Sequence, residues 1–391
     1  MKPDIPVIMY HTVGVVEPRW RWSFLTTPWQ VFENQVAYLK KKGYAAITLR
    51  ELYLYRGGEG TLPARPVLFT FDDGYLDNWV YAAPILKKYG MRGTIFVNPE
   101  FIDPAQERRL SLEDVRSGRC SLDDLPTMGF LSWAEMQVME SAGTMDIQSH
   151  AMTHTWYPSG PEIVDFRHPG DEYVWMEWNQ APERKWAYLS PGKRPEARYG
   201  EPVYRHQKSL AGCRFFPDPA VADHLAEFAA GKGEAFFSLG NWREILHREA
   251  DSCVSVAISN GRMESEGECL KRLEWELGES KRLLEQHLHK DIDFLCWPGG
   301  GYSPEAVRIA RTYYKGSTLS SRDSGKPGFD EGGHLRIRRF GVPTLARGSR
   351  HFYPGGRYLY HYLREFQGSR RHRLIRQFLK LFIMLRGGGL R

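Results

Sequence analysis

The sequence predicts an α/β fold in which parallel strands close into a (β/α) barrel. Two observations favour it. Short apolar strands alternate with helical segments along much of the 391 residues, an order typical of a parallel sheet. Polar residues directly follow several of these strands, and a barrel gathers its functional side chains at the carboxyl ends of its strands. An open, doubly wound sheet is the alternative, although no Gly-x-Gly-x-x-Gly or P-loop motif follows any strand.

The predicted elements follow from apolar spacing and capping signals. The first strand covers residues 5–10, and a helix capped by Thr27, with Pro28 at its first position, ends at Gly43. Further strands are predicted at 46–49, 67–71, 94–97, just before His150, and at 294–297. Further helices are predicted at 76–89, from the Ser132–Glu135 capping box to Gly143, at 264–288, and after Ser303-Pro304.

The segment 67–78 is the most informative, because an apolar strand ends there in two carboxylates and a glycine. Gly74 lets the backbone turn sharply, so Asp72 and Asp73 are presented together at the strand end. Such a pair is typical of an active site. The alternative is a solvated turn or a helix cap.

A histidine pair follows a later strand. His150 and His154 stand four residues apart and can face one ion. Together with a strand-end carboxylate they make a three-ligand set for a catalytic divalent metal, with a position open for water. The alternative is that one histidine caps a helix and the other packs.

These motifs resemble, in order and context, those of the polysaccharide deacetylases of the NodB-homology type, carbohydrate esterase family 4. The run TFDDGY at 70–75 is similar to the first motif of that family, which implies that Asp72 is the catalytic base and Asp73 a metal ligand. The run SHAMTH is similar to the second motif and implies that His150 and His154 complete the metal site. The resemblance implies a distorted, seven-stranded barrel of NodB type and a divalent metal, zinc above all.

A third run, LCWPGGGYS at 295–303, is similar to the family's later proline-glycine motif, which lines the substrate groove. The resemblance implies substrate contacts from Trp297 and Pro298, and from Tyr75, next to which a backbone N–H stabilises the oxyanion. There are departures. Leu295 and Cys296 stand where an arginine commonly orients the base, and Gly299 replaces an aromatic residue.

The opening run VIMYHTVG at 7–14 resembles a subgroup with circularly permuted motifs, whose catalytic domain begins with a strand ending in Tyr-His. In that subgroup the general acid comes from the first strand. The resemblance therefore implies His11 as the catalytic acid, ahead of three other candidates, His334, His351 and His361. The alternative is that His11 is a buried, hydrogen-bonded histidine near the barrel mouth.

The resemblance predicts the domain limits. Residues 1–155 and 264–345 form the barrel, 156–263 form an insertion over its mouth, and 346–391 form a C-terminal extension. The insertion holds five of the twelve tryptophans, namely Trp156, Trp175, Trp178, Trp186 and Trp242, and clustered Lys and Arg at 190–209. Aromatic faces suit sugars and Arg suits anions, so we expect it to bind an anionic glycan. A small satellite core with solvated charges is the alternative.

The positive charge is concentrated at the C-terminal end. Residues 364–391 carry eight Lys or Arg and one Glu, a balance of +7, so the net charge of +6 leaves about −1 for residues 1–363. Apolar and basic positions alternate as in an amphipathic helix. We expect 370–386 to contact an anionic membrane surface peripherally. A helix packed on the barrel with a solvated basic face is the alternative. We expect no nucleic-acid partner.

The sequence also predicts a location. The five cysteines show no metal-ligand spacing, and their odd number fits reduced thiols. No secretory signal precedes the first strand, so we expect a cytoplasmic protein, peripheral on the inner face of the membrane.

The resemblance implies a metal-dependent N-deacetylase. It would hydrolyse the acetamido group of an N-acetylated sugar in a polysaccharide or lipid-linked glycan, during assembly of an envelope polysaccharide. Two alternatives stay open. One is another amide hydrolase of the superfamily, such as a deformylase of a lipid-linked amino sugar. The other is a catalytically silent glycan-binding protein that keeps the barrel.

Overall fold

The computed structural model describes residues 5–189, 196–255, 261–320, 327–347 and 350–386. Residues 190–195, which begin the predicted Lys and Arg cluster, and 387–391 of the predicted extension lie outside these ranges. The strands are β1 (Val7–Tyr10), β2 (Thr12–Gly14), β3 (Thr26–Pro28), β4 (Ala45–Ala46), β5 (Pro66–Phe71), β6 (Gly93–Val97), β7 (Met145–Ser149), β8 (Trp156–Phe166), β9 (Pro202–Lys208), β10 (Phe215–Phe216), β11 (Arg262–Met263), β12 (Phe294–Leu295), β13 (Gly316–Thr318), β14 (Gly328–Phe329), β15 (Leu335–Ile337), β16 (Phe340–Gly341), β17 (Leu345–Arg347) and β18 (Arg350–Phe352). The α-helices are α1 (Trp29–Lys41), α2 (Leu49–Gly57), α3 (Ala83–Lys88), α4 (Leu112–Arg116), α5 (Trp133–Ser141), α6 (Val174–Gln180), α7 (Pro219–Lys232), α8 (Trp242–Ser255), α9 (Glu266–Glu274), α10 (Ser280–Leu288), α11 (Pro304–Tyr313), α12 (Gly356–Phe366) and α13 (Arg370–Arg386).

The main sheet is built of parallel strands. Strand β1 pairs with β5, β5 with β6, β6 with β7, β7 with β12, and β12 with β13, all in parallel register. Helices connect successive strands, with α3 before β6, α5 before β7 and α11 before β13. Because the strands are parallel, the carboxyl ends of all of them lie at one end of the sheet, and polar side chains converge there.

The segment 335–341 closes this sheet into a barrel. Its first half, β15, pairs in parallel with β13, and its second half, β16, pairs in parallel with β1. Only Arg338 and Arg339 separate the two halves. Counted as one strand, 335–341 completes a ring of seven strand positions among the described residues, so the predicted distorted, seven-stranded barrel is confirmed.

The barrel core is made by apolar residues that face both sides of the sheet. In β5, residues Val67, Leu68, Phe69 and Phe71 are all fully buried. A near-continuous apolar run of this kind is typical of a parallel strand that is covered on both faces. Burial on both faces holds β5 in place, which fixes the position of the two carboxylates that follow it.

Most predicted elements agree with the structure, with local differences. The Ser132–Glu135 capping box and the Ser303 cap are both present. Helix α1 lies where it was expected, but Thr27 belongs to β3 and does not cap it. The predicted strand at 46–49 is wrong in its second half, because Thr48 and Glu51 form a capping box that begins α2.

The two predicted helices at 76–89 and 264–288 are interrupted. A π-helical turn covers Asn78–Ala82 before α3, and another covers Trp275–Glu279 between α9 and α10. In the second, a side chain on Gly278 would collide with the Tyr313 ring, since a Cβ there would lie 2.8 Å from it.

The described residues of 156–255, between β7 and β12, form a separate layer. Strands β8 and β9 pair antiparallel, and helices α7 and α8 pack on them through a small apolar cluster that includes Phe166 and Trp242. Part of the predicted insertion is therefore a satellite core. The domain limits themselves stay a prediction.

Helices α12 and α13 follow the barrel. Helix α12 packs on α1, and the carbonyl of Pro354 accepts a hydrogen bond from the buried Gln35 side chain of α1. Helix α13 packs on α12, where Arg376 forms an ion pair with Glu365. No helix within the described ranges is both long enough and apolar enough to cross a bilayer.

Candidate active site

A cavity of about 1300 Å³ opens at the carboxyl ends of the barrel strands. Its floor holds His11 after β1, Asp72 and Asp73 after β5, and His150 and His154 after β7. The barrel thus brings together all five residues for which the sequence predicted catalysis or metal binding. Their roles are tested by no comparison and stay predictions.

Asp73, His150 and His154 form a compact three-residue group. The Nε2 atoms of both histidines lie 3.2 Å from Asp73 Oδ1. That oxygen is buried and has no hydrogen-bond partner among the described residues. One carboxylate and two imidazoles within 4.8 Å of one another can hold a metal ion, and the unsatisfied oxygen fits such an ion. The site therefore contains a candidate metal-binding group.

The backbone of this group is strained. Asp73, Ala151 and His154 have φ values of 72°, 58° and 45°, in the left-handed region that non-glycine residues rarely adopt. Conformations of this kind cost about 1–3 kcal/mol each and cluster at functional sites. The strain here aims one carboxylate and one imidazole into the cavity.

His150 is held by the neighbouring strand end. Its Nδ1 lies 2.8 Å from the carbonyl oxygen of Cys296, so an Nδ1–H donates there and Nε2 is left to face Asp73. This is the way in which metal-binding histidines are usually oriented. Asn98 donates from Nδ2 to the His150 carbonyl and fixes the backbone as well.

Asp72 accepts two hydrogen bonds from an arginine that was not predicted from the sequence. Arg339 donates from Nη1 to Asp72 Oδ1 at 2.6 Å and from Nη2 to Oδ2 at 2.8 Å. Both side chains are buried, and Arg339 also lies 5.4 Å from the Phe96 ring. Burial raises the pKa of Asp72, but the guanidinium more than offsets this and holds that pKa below its ordinary value.

An arginine therefore reaches Asp72 from the closing segment 335–341 and not from the residues directly before Pro298. Cys296 occupies the expected place, and its Sγ lies 2.9 Å from Arg339 Nη2, so the small thiol leaves room for the incoming guanidinium. Arg339 lies between β15 and β16, the two halves of the closing segment 335–341. The available signal was the pair Arg338-Arg339 directly after the short strand β15, in which Leu335 and Ile337 are buried.

His11 is placed suitably for the predicted acid. Its Nε2 lies 4.0 Å from Asp72 Oδ2, and its side chain is 22% exposed to the cavity. The other three candidates, His334, His351 and His361, do not line this cavity. His334 instead makes hydrogen bonds to Tyr314 and Ser317.

Two of the three predicted substrate-binding residues line the cavity, and the third does not. Tyr75 and Trp297 line the cavity, and Tyr75 stacks on the Phe130 ring at 5.2 Å. Pro298 is buried and does not line the cavity. The two glycines that follow, Gly299 and Gly300, line it instead.

The upper wall of the cavity is aromatic. Its rings come from the N-terminal segment and from the layer between β7 and β12, and they include Trp22, Trp156, Trp175, Trp178 and Tyr188. Trp178 lies within 6.2 Å of both the Trp22 and Trp156 rings. Trp186 and Trp242, the remaining two tryptophans of the predicted insertion, do not line the cavity. The insertion thus contributes to the mouth as well as forming a satellite core.

Comparison with known proteins identifies the region around the two carboxylates. The family described as polysaccharide deacetylase matches residues 59–184, which include Asp72, Asp73, His150 and His154. This region is similar in sequence to the polysaccharide deacetylases. The resemblance drawn from the motifs is confirmed.

Two curated relatives are similar to parts of this chain. YxkH of Bacillus subtilis (strain 168), assigned by name to the polysaccharide deacetylases, is 38% identical over 93 residues, which are 24% of this chain and 31% of that protein. The poly-β-1,6-N-acetyl-D-glucosamine N-deacetylase of Staphylococcus aureus (strain MSSA476) is 28% identical over 121 residues, 30% of this chain and 34% of that protein. The chain spans about a third of the length of these relatives.

A solved structure supports the fold over most of the chain. A de-N-acetylase from Aggregatibacter actinomycetemcomitans superposes with a TM-score of 0.50, covering 86% of this chain and 93% of that chain at 15% sequence identity. At this identity the likeness concerns the fold alone. It agrees with the (β/α) barrel described above.

Proposed function

We propose that this protein is a metal-dependent N-deacetylase that hydrolyses the acetamido group of an N-acetylated sugar within a glycan. The observation that carries the proposal is the pair of adjacent carboxylates with opposite surroundings. Asp72 is held by Arg339, whereas Asp73 faces two imidazoles and leaves one oxygen unsatisfied. One carboxylate is thus prepared as a base and the other as a metal ligand.

The residues around the cavity would divide the reaction as follows. Asp73, His150 and His154 would hold the ion, and the preference for zinc rests on this set of one carboxylate and two imidazoles. A bound divalent metal supplies Lewis-acid activation of water and of the acetamido carbonyl. Asp72 accepts the proton of the attacking water, since Arg339 keeps it ionised and oriented. The backbone N–H next to Tyr75 donates to the developing oxyanion.

His11 completes the proton transfers. Its imidazole reaches the cavity from the side of Asp72, at 4.0 Å, and is suited to protonate the departing amine. The products are a free amino sugar and acetate. The aromatic wall formed by Trp22, Trp156 and Trp178 would stack on sugar rings and exclude water from their faces. The relative that acts on poly-β-1,6-N-acetyl-D-glucosamine supports a polymeric substrate.

Acetate release tests the proposal. Protein loaded with zinc is incubated with oligomers of β-1,6-linked N-acetylglucosamine and, separately, with a lipid-linked N-acetylhexosamine. We expect the parent to release acetate and Asp72→Asn to be at least about a hundredfold slower while retaining zinc, because a general base contributes about 10²–10⁴-fold. His154→Ala should lose both activity and zinc.

The alternatives give different outcomes. Formate in place of acetate from an N-formylated substrate would indicate a deformylase. Binding of oligomers without release of either acid, with zinc in place, would indicate a catalytically silent glycan-binding protein. Equal zinc content in His154→Ala and the parent would contradict the ligand assignment.

We also propose that helix α13 brings the enzyme to an anionic membrane surface, where a lipid-linked or growing glycan would be the substrate. Four apolar side chains point outward from it, Leu374, Phe378, Leu381 and Leu385, each between 56% and 71% exposed. Exposed basic residues flank them, namely Arg370, Arg371, Arg373 and Lys380. An apolar stripe bordered by cations suits the interface of a bilayer that contains acidic lipids. A cytoplasmic location, at the inner face of the membrane, is part of this proposal.

A further inference from the structure

Lys208 reaches the catalytic cavity from outside the barrel. It is the last residue of β9, and its side chain lines the same cavity as the two carboxylates and two histidines. Its Nζ atom lies 4.6 Å from the ring centroid of Trp156. A cation over the face of an indole is held in place by the ring quadrupole. The ammonium group therefore has a defined position in the wall.

The glycines after β12 leave room for the Lys208 side chain. A Cβ on Gly299 would lie 1.7 Å from Lys208 Nζ, and one on Gly301 would lie 2.5 Å from Lys208 Cδ. Any side chain at either position would displace the lysine. At this point of the groove the loop at 299–301 therefore leaves space for a cation.

The negative charges of the upper wall are already compensated. Each of the carboxylates lining the cavity above the barrel has an arginine partner: Asp165 with Arg243, Asp171 with Arg167, and Glu172 with Arg21. Lys208 therefore adds a positive charge to a wall whose own carboxylates are paired with arginines. The His154 ring centroid lies 6.0 Å from that of Trp156, so the ammonium group and a candidate metal ligand are both placed beside one indole.

We propose that Lys208 makes this cavity selective for a glycan that carries an oxyanion, either a carboxylate or a phosphate, on the reacting sugar or on its neighbour. The proposal rests on the proposed deacetylase function and specifies its substrate class. An ammonium group pairs with a carboxylate or a phosphate oxygen by a charge-assisted hydrogen bond, and a neutral sugar offers no such partner.

The test compares three substrates that differ only in charge. These are an N-acetylglucosamine tetramer, the same tetramer with a hexuronic acid beside the reacting sugar, and the tetramer with a phosphate there. We measure kcat/KM for acetate release by the parent and by Lys208→Met, which keeps the length of the side chain but not its charge. We expect the ratio of anionic to neutral kcat/KM to fall about ten- to a hundredfold in the variant.

Two further variants separate charge from position. Gly301→Ala keeps the lysine but pushes its side chain aside, so we expect the same ratio to fall. Lys232→Met is the matched control, because Lys232 is also a cation over a ring, 4.8 Å from Phe228, but lies outside the cavity. It should leave the ratio unchanged. Comparison of the uronate and phosphate tetramers tells which oxyanion is preferred.

Two results would overturn the inference and leave deacetylation intact. One is equal kcat/KM for neutral and anionic tetramers with the parent, and the other is an unchanged ratio in Lys208→Met. If the parent releases no acetate from any tetramer, the proposed function fails. The anion site is then tested on its own, by calorimetric measurement of how the three tetramers bind to Asp72→Asn protein. Preferential binding of an anionic tetramer, lost with Lys208→Met, would still support the anion site, and equal binding would reject it.

Discussion

Arg339 determines how Asp72 can act as a base. The carboxylate is almost fully buried, and burial alone would favour its neutral form. Two hydrogen bonds from one planar guanidinium reverse this preference and also fix the carboxylate plane. The state of the proposed base is therefore set by a residue that need not touch the substrate.

We predict that Arg339→Gln lowers kcat/KM about a hundredfold or more, because it leaves a buried carboxylate without its counter-charge. The pKa of Asp72 should then rise, so the acidic limb of the pH profile of kcat/KM moves to higher pH. Arg339→Lys should restore part of the kcat/KM and part of the original position of the acidic limb. The measurement is acetate release across the pH range.

The control is Arg311→Gln, which breaks a more exposed ion pair with Asp330. It should leave the profile in place. A slower Arg339→Gln enzyme with an unmoved acidic limb would mean that the arginine supports the fold alone.

Helix α13 has two apolar sides with different surroundings. Leu379 and Ile383 are buried against Leu345, Phe352 and Tyr358, so one side anchors the helix to the body of the protein. The opposite side, which holds the outward apolar residues described above, has no apolar cover among the described residues. Anchoring on one side lets the other be substituted without loss of the helix.

We predict that the triple variant Leu374→Ser, Phe378→Ser, Leu381→Ser loses binding to vesicles of phosphatidylcholine and phosphatidylglycerol by at least about tenfold. Burial of each such side chain in the interface contributes about 1.5–3 kcal/mol. Co-sedimentation measures the bound fraction, which should also fall as salt screens the basic flanks.

The control double variant Leu122→Ser, Leu239→Ser removes exposed apolar residues elsewhere, 47% and 48% exposed in the parent. It should bind as the parent does. Equal binding of the triple variant and this control would contradict the membrane proposal.

The elements that the sequence predicts well are those with a local signal. The strand before Asp72 is an uninterrupted apolar run, and the helix after Ser132 begins with a capping box, so both needed only neighbouring residues. The strand predicted at 46–49 failed because the capping signal of Thr48 and Glu51 overrides the apolar run.

The parts that the sequence could not predict depend on distant residues. Arg339 is 267 positions from Asp72, and only the barrel register brings the two together. The position of Lys208 depends on how β9 packs against the glycines that follow β12. The ligand and base candidates were found, by contrast, because each of them directly follows a recognisable strand.

For the whole molecule, a buried carboxyl makes the free energy of unfolding depend on pH. Asp77 is 7% exposed, and burial raises its pKa to about 8, although backbone N–H groups of Val13 and Asn78 lower it. The folded protein thus holds a proton up to about pH 8 that the unfolded chain releases near pH 3.9, so stability falls by about 1.4 kcal/mol per pH unit between them.

We predict that Asp77→Asn, which cannot ionise, becomes more stable relative to the parent as the pH rises from about 5 to 8. Thermal unfolding of both proteins across this range measures the difference. Asp123→Asn, at an exposed position, should show no such trend. A constant difference between Asp77→Asn and the parent would contradict the shifted pKa.

The closing segment 335–341 has a consequence for how the chain folds. Ile8 pairs with Phe340, so the first strand keeps one open edge until most of the 391 residues have left the ribosome. Pairing between such distant segments is slow, and an unpaired strand edge is a template for association with other chains. We therefore expect the last step of folding to follow synthesis, and the yield of refolded protein to fall as its concentration rises, because open barrels would then meet each other before they close.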